Sequence, residues 1–554
     1  MDGYATHEVL NQPGALEGYN AYAGDQALVE ATRVFGAGWA DDALRHAGGL
    51  VGSAHVQHLA RQANRNLPEL RTHDRFGHRV DVVEFHPAYH ELMGLIYGCG
   101  THSFAWTHGQ PGAHVARGVL SYLWNQGENG ICCPMGMTFA SIPALRHDPA
   151  LLAEWGPLVN SAVYDPRPAY AKDKAGATVG MAMTEKQGGS DLRATITTAR
   201  PASMRRGSGA PYVITGHKWF FSVPMSDLFL TLAQTETGQG NQLSCFLATG
   251  WLPDGSRNRL KLQRLKDKCG NKSNASSEVE FHDLQAVLLG DEGRGIRTII
   301  EMAHATRLDF AIGSSGLMRQ ALTQAAHHTA NRRAFQRSLV DLPLMRNVVA
   351  DLAVESEAMM WMSMRLAYAL DRSEVDRGEA LLSRICTPVA KYWACKRAPG
   401  FVAEALECHG GNGFIADHLM ERLYREAPLN GIWEGTGNVI CLDVLRAMQR
   451  EPESVGVFLD EVRAARGGDA RLDAYAERLA DRLAEPAGLE PVARRISEMM
   501  AMALQGSLLV RYAHPAVADA FCATRLDGDW GCAYGTMLHG LDTQAIVDRA
   551  RVGG

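Results

Sequence analysis

The 554-residue sequence lacks several features that would assign it to a simple class. Its eleven cysteines include no CxxC pair, so we expect neither a zinc ribbon nor a thioredoxin-like site, and their odd number suits free thiols in a reducing compartment. No apolar run reaches the length of a membrane span, and the N-terminal residues contain no basic segment followed by an apolar core. We therefore expect a soluble cytoplasmic protein without a secretory signal, a membrane partner or a metal site.

The sequence also has no excess of positive charge and lacks the short motifs of several enzyme classes. Its formal net charge is −6, so any contact with nucleic acid would need a local basic patch. It contains no Walker A loop, no nucleophile elbow and no HExxH sequence. The run GDEGRG at 290–295 is only superficially like a dinucleotide loop, and since no strand–helix alternation surrounds it, we expect no Rossmann sheet.

Hydropathy periodicity divides the chain into four predicted domains. Residues 1–176 have apolar residues mostly at helical spacing, whereas residues 177–290 contain short alternating runs between Gly, Pro, Asn and Asp. A long helical period returns over 291–446, and further helices follow over 447–554. We predict an α+β fold with an N-terminal helical domain, a central antiparallel barrel or sandwich, a C-terminal four-helix bundle and an additional helical extension.

The segment Gly431–Asn438, with the sequence GIWEGTGN, places a carboxylate between an aromatic residue and a glycine, ahead of an apolar helical run. Thr436 and Asn438 are candidate caps of that helix. A glutamate held against Trp433 would lose hydration, which raises its basicity, so Glu434 is a candidate base that takes a proton from carbon. A capped helix with a surface glutamate explains the same residues.

Four further motifs each have a structural interpretation, and three of them also have a functional one. The loop Met183–Asp191 (MTEKQGGSD) is either a plain turn or a loop that offers N–H and hydroxyl groups to a flat ligand. The run Thr215–Ser222 (TGHKWFFS) is either aromatic core packing or the wall of a flavin site. The basic pair in Asn331–Phe335 (NRRAF) either complements a helix dipole or binds a diphosphate. His409–Phe414 (HGGNGF) is typical of a helix terminus.

The order of these motifs resembles that of the acyl-CoA dehydrogenase flavoproteins over roughly residues 20–446. The sequence is most similar to the AidB branch, the alkylation-response flavoproteins. The residues that carry this likeness are Asn11-Gln12-Pro13, MTEKQGGSD, GHKWFFSVP, RLKDKCGNKSNAS, PLMRNV, IWEGTGN and, in the C-terminal extension, RYAHP. The resemblance implies a helical domain, a β-barrel and a four-helix bundle, FAD between barrel and bundle, and a homotetramer.

The resemblance also implies a set of FAD contacts. In the β domain these are Met183, Thr184, Gly189, Ser190, Phe220, which replaces the family's usual tryptophan, and Ser222. In the helical domains they are Arg332, Phe335, Gly410 and Gly411, which would reach the FAD of a neighbouring subunit, with Thr436 and Asn438 closing the site. By the same resemblance, Glu434 would remove the α-proton of a thioester while flavin N5 accepts the β-hydride, with Arg307 beside the pocket.

Three positions depart from the family pattern. His304 stands where an aspartate helps to hold the CoA chain, Gln336 where a glycine follows Phe335, and Glu407 where a glutamine is expected. The first substitution weakens the expectation of a CoA substrate, whereas the other two affect expected FAD contacts.

The AidB resemblance implies a DNA-binding flavoprotein of the alkylation response with at most weak acyl-CoA dehydrogenase activity. A genuine acyl-CoA dehydrogenase that does not bind DNA is the alternative. The candidate contacts to double-stranded DNA are Arg257, Arg259 and Lys261, within the basic segment 256–272, and the pair Arg494 and Arg495. A basic strand is also commonly a solvated face.

Overall fold

The computed structural model describes residues 6–237, 240–484, 488–528 and 531–552. The chain divides into two compact units, one formed by Met1–Ala54 with Phe310–Gly554 and the other by His55–Asp309. Within the described ranges, no helix has the length and apolarity needed to cross a membrane. The same ranges contain no group of three or more His, Cys, Asp or Glu side chains arranged to hold a metal ion.

Helices form most of the chain before the barrel. Their bounds are α1 (Gln26–Val34), α2 (Asp41–Val51), α3 (Ala54–Arg65), α4 (Pro87–Gly98), α5 (Phe104–Thr107), α6 (Ala113–Gly127), α7 (Asn129–Leu145) and α8 (Pro149–Val159). Local sequence explains several starts: the Asp148 carboxylate accepts hydrogen bonds from the first N–H groups of α8, and a proline occupies the first position of α4 and α8.

A β-hairpin interrupts these helices, and the prediction of a helical domain over 1–176 did not include it. Its strands are β1 (Glu69–His73) and β2 (Arg79–Glu84), joined by a turn in which Gly77 has φ 84°. Leu70 and Val83 pack against the barrel core, and the Asp81 carboxylate accepts a hydrogen bond from the N–H of Leu262 at 3.3 Å. The hairpin is thus a separate two-stranded sheet that packs on the barrel.

The central sheet has seven strands and is closed, which confirms the predicted barrel. The strands are β3 (Val179–Ala182), β4 (Thr198–Pro201), β5 (Pro211–Ser222), β6 (Leu228–Thr237), β7 (Gly240–Thr249), β8 (Leu260–Leu265) and β9 (Ser276–Leu288). Their order is β3-β5-β4-β6-β7-β9-β8, with further pairings of β3 with β6 and β5 with β9. The pairings are mostly antiparallel, as predicted, but β6 pairs in parallel with both β3 and β4.

Long helices follow the barrel, with a short hairpin after the first of them. The elements are α9 (Gly295–Asn331), β10 (Arg333–Ala334), β11 (Arg337–Ser338), α10 (Pro343–Arg372), α11 (Arg377–Glu407), α12 (Gly411–Phe414), α13 (Met420–Glu426) and α14 (Gly437–Arg450). The boundary between the two units falls within α9. Helix α11 packs against both α10 and α14, as the bundle prediction requires.

The C-terminal extension belongs to the same unit as the bundle. Its elements are α15 (Glu453–Arg463), α16 (Ala470–Ala484), α17 (Ala493–Tyr512), α18 (Pro515–Phe521), a π-helical turn at Cys522–Leu526, and α19 (Thr543–Ala550). Helix α17 packs against α10, α11 and α14. Arg525 forms a fully buried ion pair with Asp351 of α10, whose carboxylate also accepts a hydrogen bond from the N–H of Gly535 at 2.8 Å. The extension therefore contributes to the interior of this unit.

Candidate functional site

The glycine loop after β3 is a tight turn whose geometry needs both of its glycines. The N–H of Gly188 donates to the carbonyl of Glu185 at 3.0 Å, and Gly188 has φ 138°. A Cβ on Gly189 would lie 2.4 Å from Oγ1 of Thr184. The carbonyl of Thr184 accepts a hydrogen bond from the N–H of Trp219 at 2.7 Å, which ties the loop to β5. The loop thus has a defined shape, and Ser190 is exposed on it.

A buried ion pair lies beneath this loop. Lys218 and Glu185 are each only 1% exposed, and Nζ of Lys218 lies 2.8 Å from Oε1 of Glu185. Lys218 also donates to the carbonyl of Leu232 at 2.8 Å, while Glu185 accepts from the N–H groups of Ile196 at 2.8 Å and Thr197 at 3.2 Å. The pair therefore fastens the loop to several backbone segments of the barrel at once.

Both partners of this pair are charged at neutral pH. Burial acts to raise the pKa of Glu185, but the charge of Lys218 and the hydrogen bond from the Ile196 N–H outweigh it and lower the pKa to about 2. Burial lowers the pKa of Lys218 to about 8, against the attraction of Glu185. Removing one partner alone would leave a buried charge without compensation, which is strongly destabilising.

The aromatic run on β5 divides between the core and the surface. Phe221 is buried in the barrel, whereas Phe220 is 45% exposed. Nζ of Lys266 lies 3.1 Å from the ring centroid of Trp219 and 4.8 Å from that of Phe220. Ser222 is half-buried at the end of the strand, where it pairs with Met181. Aromatic core packing therefore explains Phe221, whereas the exposed ring of Phe220 has no role in that core.

The β-barrel residues fit the flavin that the motifs imply. Phe220 offers an exposed aromatic face, Thr184 and Ser222 are half-buried hydroxyl residues on the adjoining loop and strand, and Gly189 leaves no room for a side chain. Met183 is half-buried and packs against the core beside the loop. An aromatic surface bordered by hydroxyl and backbone N–H groups suits a flat ring with polar edges.

The basic pair of the NRRAF motif lies at the start of the hairpin β10–β11. The two residues of its turn, Phe335 and Gln336, have φ 50° and φ 66°. Both lie in the left-handed region, which costs a residue other than glycine about 1–2 kcal/mol. Phe335 is 88% exposed at the tip of this turn. The hairpin therefore holds an aromatic side chain outwards, beside Arg332, on a strained backbone.

The glycine pair of the HGGNGF motif precedes and begins α12. Gly410 has φ 59° and both Gly410 and Gly411 are exposed, with no described atom within 4 Å of a Cβ built on either. The preceding His409 is buried, and its ring centroid lies 4.6 Å from that of His328 near the end of α9. Space at these glycines is therefore open to a ligand.

Glu434 lies on a constrained segment just before α14. It has φ 54°, and Gly435 after it has φ 110°. On one side the ring of Trp433 stacks on that of Phe310 with centroids 5.3 Å apart. On the other side the buried Lys391 donates to the carbonyl of Gly435 at 2.5 Å. Strained backbone that is fixed on both sides is typical of functional sites, and it gives the half-buried carboxylate of Glu434 a defined position.

Thr436 occupies the predicted N-cap of α14, but among the described residues its hydroxyl makes no capping hydrogen bond. Asn438 is exposed in the first turn. A Cβ on Gly437 would lie 2.9 Å from Cε of Lys396 and 3.1 Å from Nη2 of Arg494. The N–H groups of the first turn and two cations thus meet at the start of α14, an arrangement that favours an anionic group such as a phosphate.

The remaining candidate residues differ in exposure. Arg307 is buried in α9. Arg257 is half-buried, with its guanidinium 5.3 Å from the ring centroid of Trp251, and burial lowers its pKa to about 10. The exposed candidates are Arg259, Lys261, Arg494 and Arg495. Lys261 lies opposite Glu280 in the register of β8 and β9, so part of the positive charge of this strand is balanced.

Sequence reasoning missed the ion pair of Lys218 and Glu185, although both residues lie within motifs it singled out. The signal was present in β5, where the strand period of two places the side chains of Tyr212, Ile214 and Lys218 on the same face. The lysine therefore shares the inward face with two core residues. A charged residue on such a face needs a buried partner, and the adjoining loop has two acidic residues, Glu185 and Asp191, of which Glu185 is the buried one.

Known proteins match the chain in three segments. Residues 11–166 match the adaptive response protein AidB N-terminal domain, residues 180–284 the acyl-CoA dehydrogenase middle domain, and residues 293–449 the acyl-CoA dehydrogenase C-terminal domain. The chain is 43% identical over 526 residues to the putative acyl-CoA dehydrogenase AidB of Escherichia coli (strain K12), which covers 95% of each protein. The resemblance inferred from the order of the motifs is therefore confirmed.

Solved structures agree with this assignment. Caenorhabditis elegans ACDH-11 in complex with C11-CoA has a TM-score of 0.83 and 26% identity, over 99% of this chain and 93% of that one. The Bacillus anthracis acyl-CoA dehydrogenase complexed with FAD has a TM-score of 0.61 and 19% identity, over 79% of this chain and 80% of that one, and shows the fold. The chain thus belongs to the AidB branch of the acyl-CoA dehydrogenase family, whose members are FAD-dependent oxidoreductases acting on CH–CH donors.

Proposed function

We propose that the protein dehydrogenates a CH–CH bond next to a carbonyl group in a small-molecule or acyl-CoA substrate, with Glu434 as the base. The observation that carries this proposal is the fixed backbone of Glu434, held between the stacked Trp433 and the anchored carbonyl of Gly435. The fold likeness to ACDH-11, which was solved with C11-CoA, supports a thioester as one substrate class.

The chain's own residues have two tasks in this reaction. Bound FAD supplies the hydride acceptor. The Glu434 carboxylate takes the proton from the carbon that the substrate carbonyl has acidified, and its restrained backbone reduces the entropy cost of reaching that carbon. The second task is binding: we assign Met183, Thr184, Gly189, Ser190, Phe220 and Ser222 to the flavin side, and Arg332, Phe335, Gly410, Gly411, Thr436 and Asn438 to its remaining contacts.

The substrate need not carry CoA. His304, which is half-buried on α9, replaces the aspartate expected to hold the CoA chain, and Arg307 is buried one turn further along the same helix. A histidine changes the charge available to the pantetheine amides, so the proposal extends to small electrophilic molecules that lack CoA.

Anaerobic titration with a panel of acyl-CoAs and small carbonyl compounds without CoA tests the proposal, with the loss of oxidised-flavin absorbance as the signal. We expect at least one member to reduce the flavin, and Glu434→Gln to slow that reduction about a thousandfold, the usual contribution of a general base. Glu490→Gln, at an exposed position, is the matched control and should reduce at the native rate. Native rates in Glu434→Gln, or no reduction by any member of the panel, would contradict the proposal.

A second candidate function is association with double-stranded DNA during the alkylation response. It is favoured by the exposed pair Arg494 and Arg495 at the start of α17, with Arg259 and Lys261 as further exposed cations. Arg257 is a weaker candidate because its guanidinium packs on Trp251. Cations that neutralise phosphates release counterions, so such binding must weaken as salt increases.

Duplex affinity measured over a range of salt concentrations tests this second function. Replacing Arg494 and Arg495 by Ala should lower the slope of log affinity against log salt by about one per lost phosphate contact. Replacing Arg61 and Arg65, two exposed arginines of α3, is the matched control and should leave the slope unchanged. Affinity that does not depend on salt would remove DNA binding from the proposal.

We also propose that the protein is a cytoplasmic homotetramer in which Phe335 reaches a neighbouring copy. Its ring is 88% exposed at the tip of the hairpin, and burial against a neighbouring copy would remove that apolar surface from water. Light scattering should report four copies for the native chain and fewer for Phe335→Asp, and cell fractionation tests the location.

A further inference from the structure

The N-terminal strap, residues 11–14, lies against the hairpin β10–β11. The side-chain amide of Asn11 donates to the carbonyl of Arg333 at 2.9 Å and accepts from the N–H of the same residue at 2.8 Å. The guanidinium of Arg332 donates to the backbone carbonyl of Asn11. One asparagine thus pairs with both backbone groups of Arg333, as a neighbouring strand would, and also orients Arg332.

The strap reaches a second segment as well. The amide of Asn412 donates to Oε1 of Gln12 at 3.0 Å, and the carbonyl of Gly14 lies 2.9 Å from Nε2 of His327. Asn412 follows directly after Gly410 and Gly411. Three of the four strap residues therefore contact the end of α9, the hairpin and the residue after Gly411, which are the segments that carry Arg332, Phe335, Gly410 and Gly411.

The hairpin needs such support because the two residues of its turn do not favour the left-handed conformation that they adopt. A two-residue turn with both residues in the left-handed region favours Asn-Gly, and this chain has Phe335 and Gln336 there. Glycine is the residue expected at position 336 from the family motif, so Gln336 is a departure that strains this particular hairpin. Hydrogen bonds from outside the hairpin must offset that strain.

We propose that Asn11 is a positioning residue for FAD: its side chain holds the strained hairpin in the shape that presents Arg332 and Phe335. The inference rests on the proposed role of those two residues in binding the flavin. Asn11 itself has φ 57°, a conformation that asparagine tolerates better than most residues. Its amide is both a donor and an acceptor, which a carboxylate is not.

The test is the dissociation constant of FAD, measured by titrating the full-length, flavin-stripped chain with FAD. Asn11→Gly keeps the backbone conformation and removes the amide, and we expect it to weaken FAD binding about tenfold, as the loss of two neutral hydrogen bonds does. Asn11→Asp keeps the shape but loses the donor, and should weaken binding by a smaller factor. The thermal midpoint of the flavin-free chain should stay at the native value in both.

The Gln336→Gly background distinguishes a positioning role of Asn11 from a merely structural one. Glycine adopts the turn conformation without strain, so the hairpin should no longer need the strap. In the Gln336→Gly background we therefore expect Asn11→Gly to change the FAD dissociation constant less than twofold. A tenfold loss that persists in this background would overturn the positioning role.

Arg332→Ala separates a failure of this inference from a failure of the proposed function. If Arg332→Ala weakens FAD binding and Asn11→Gly does not, the hairpin binds the flavin and the role of Asn11 is overturned. If neither variant weakens binding, the assignment of the hairpin to FAD is wrong, and the inference falls with it. A fall in the flavin-free thermal midpoint that accounts for the whole loss of affinity would also overturn it.

Discussion

The two segments that we assign to FAD are fixed in opposite ways. The loop at 183–191 has glycines where its shape demands them and is fastened from beneath by a fully buried ion pair. The hairpin at 333–338 has no glycine in its turn and is fastened from the side by a neutral amide near the surface. The loop is held by an ion pair in the interior of the barrel, whereas the hairpin is held by hydrogen bonds to a residue that is distant in the sequence.

This difference sets the size of the response to substitution. Removing one partner of a buried ion pair leaves an uncompensated charge and costs about 3–5 kcal/mol. Removing a neutral hydrogen bond costs about 0.5–1.5 kcal/mol. Damage to the loop should therefore affect the stability of the protein, while damage to the hairpin should affect the ligand with little effect on stability.

The largest effect is expected for Lys218→Met. The substitution leaves Glu185 buried without its cation, so the free energy of unfolding should fall by about 3–5 kcal/mol. Lys261→Met, the matched control at an exposed position of β8, should change it by less than about 0.5 kcal/mol. Urea denaturation measures both free energies. Similar midpoints for the two variants would mean that the buried lysine contributes no more stability than the exposed one.

The next effect is a dependence on pH. The pKa of Glu185 is about 2 in the folded protein against an ordinary value of 4.5. Between these values the unfolded chain binds more protons, so the stabilisation is complete above pH 4.5 and is lost as the pH falls towards 2. The stability advantage of the native chain over Glu185→Gln should therefore be at most about 3 kcal/mol and should shrink across this range. An advantage that stays constant down to the lowest pH measured would contradict the charge assignment.

The smallest effect concerns the hairpin turn. Gln336→Gly should raise the free energy of unfolding by about 0.5–1 kcal/mol, because glycine relieves the left-handed strain but loses more chain entropy. Gln285→Gly, at an exposed position of β9 that pairs in register with Val213, should lower it by a similar amount, since a strand gains nothing from glycine. If the turn is strained, the two substitutions change the free energy of unfolding in opposite directions, as measured by thermal unfolding. If it is not strained, both lower it.

Much of this architecture could be predicted from local patterns. The period of two along β8 and β9 and the long helical periods of α9 to α11 carry enough information to place barrel and bundle. The hairpin β1–β2 was missed, although the valine-rich run at 80–83 after the turn at Gly77 is a strand signal. In each case the signal lies within one short window of sequence.

The contacts that position the proposed site could not be predicted in this way. Asn11 and Arg333 are 322 residues apart, and neither segment contains a pattern that indicates the other. The left-handed turn at Phe335 and Gln336 is equally hidden, because tertiary hydrogen bonds impose a conformation that the two residues do not favour. Predicting that Glu185 is the partner of Lys218 would have required knowing which loop lies against this lysine in the folded barrel.

The buried contact of Asp351 has a consequence for how this branch could change over generations. Its carboxylate forms an ion pair with Arg525 and accepts a hydrogen bond from the N–H of Gly535. Both of these residues belong to the C-terminal extension. A lineage that discarded those residues would keep Asp351 as a buried acid without its cation, whereas one that lost Asp351 first would still pair Arg525 with Glu355. The acid can therefore disappear before the extension, but the extension cannot disappear before the acid without a cost in stability.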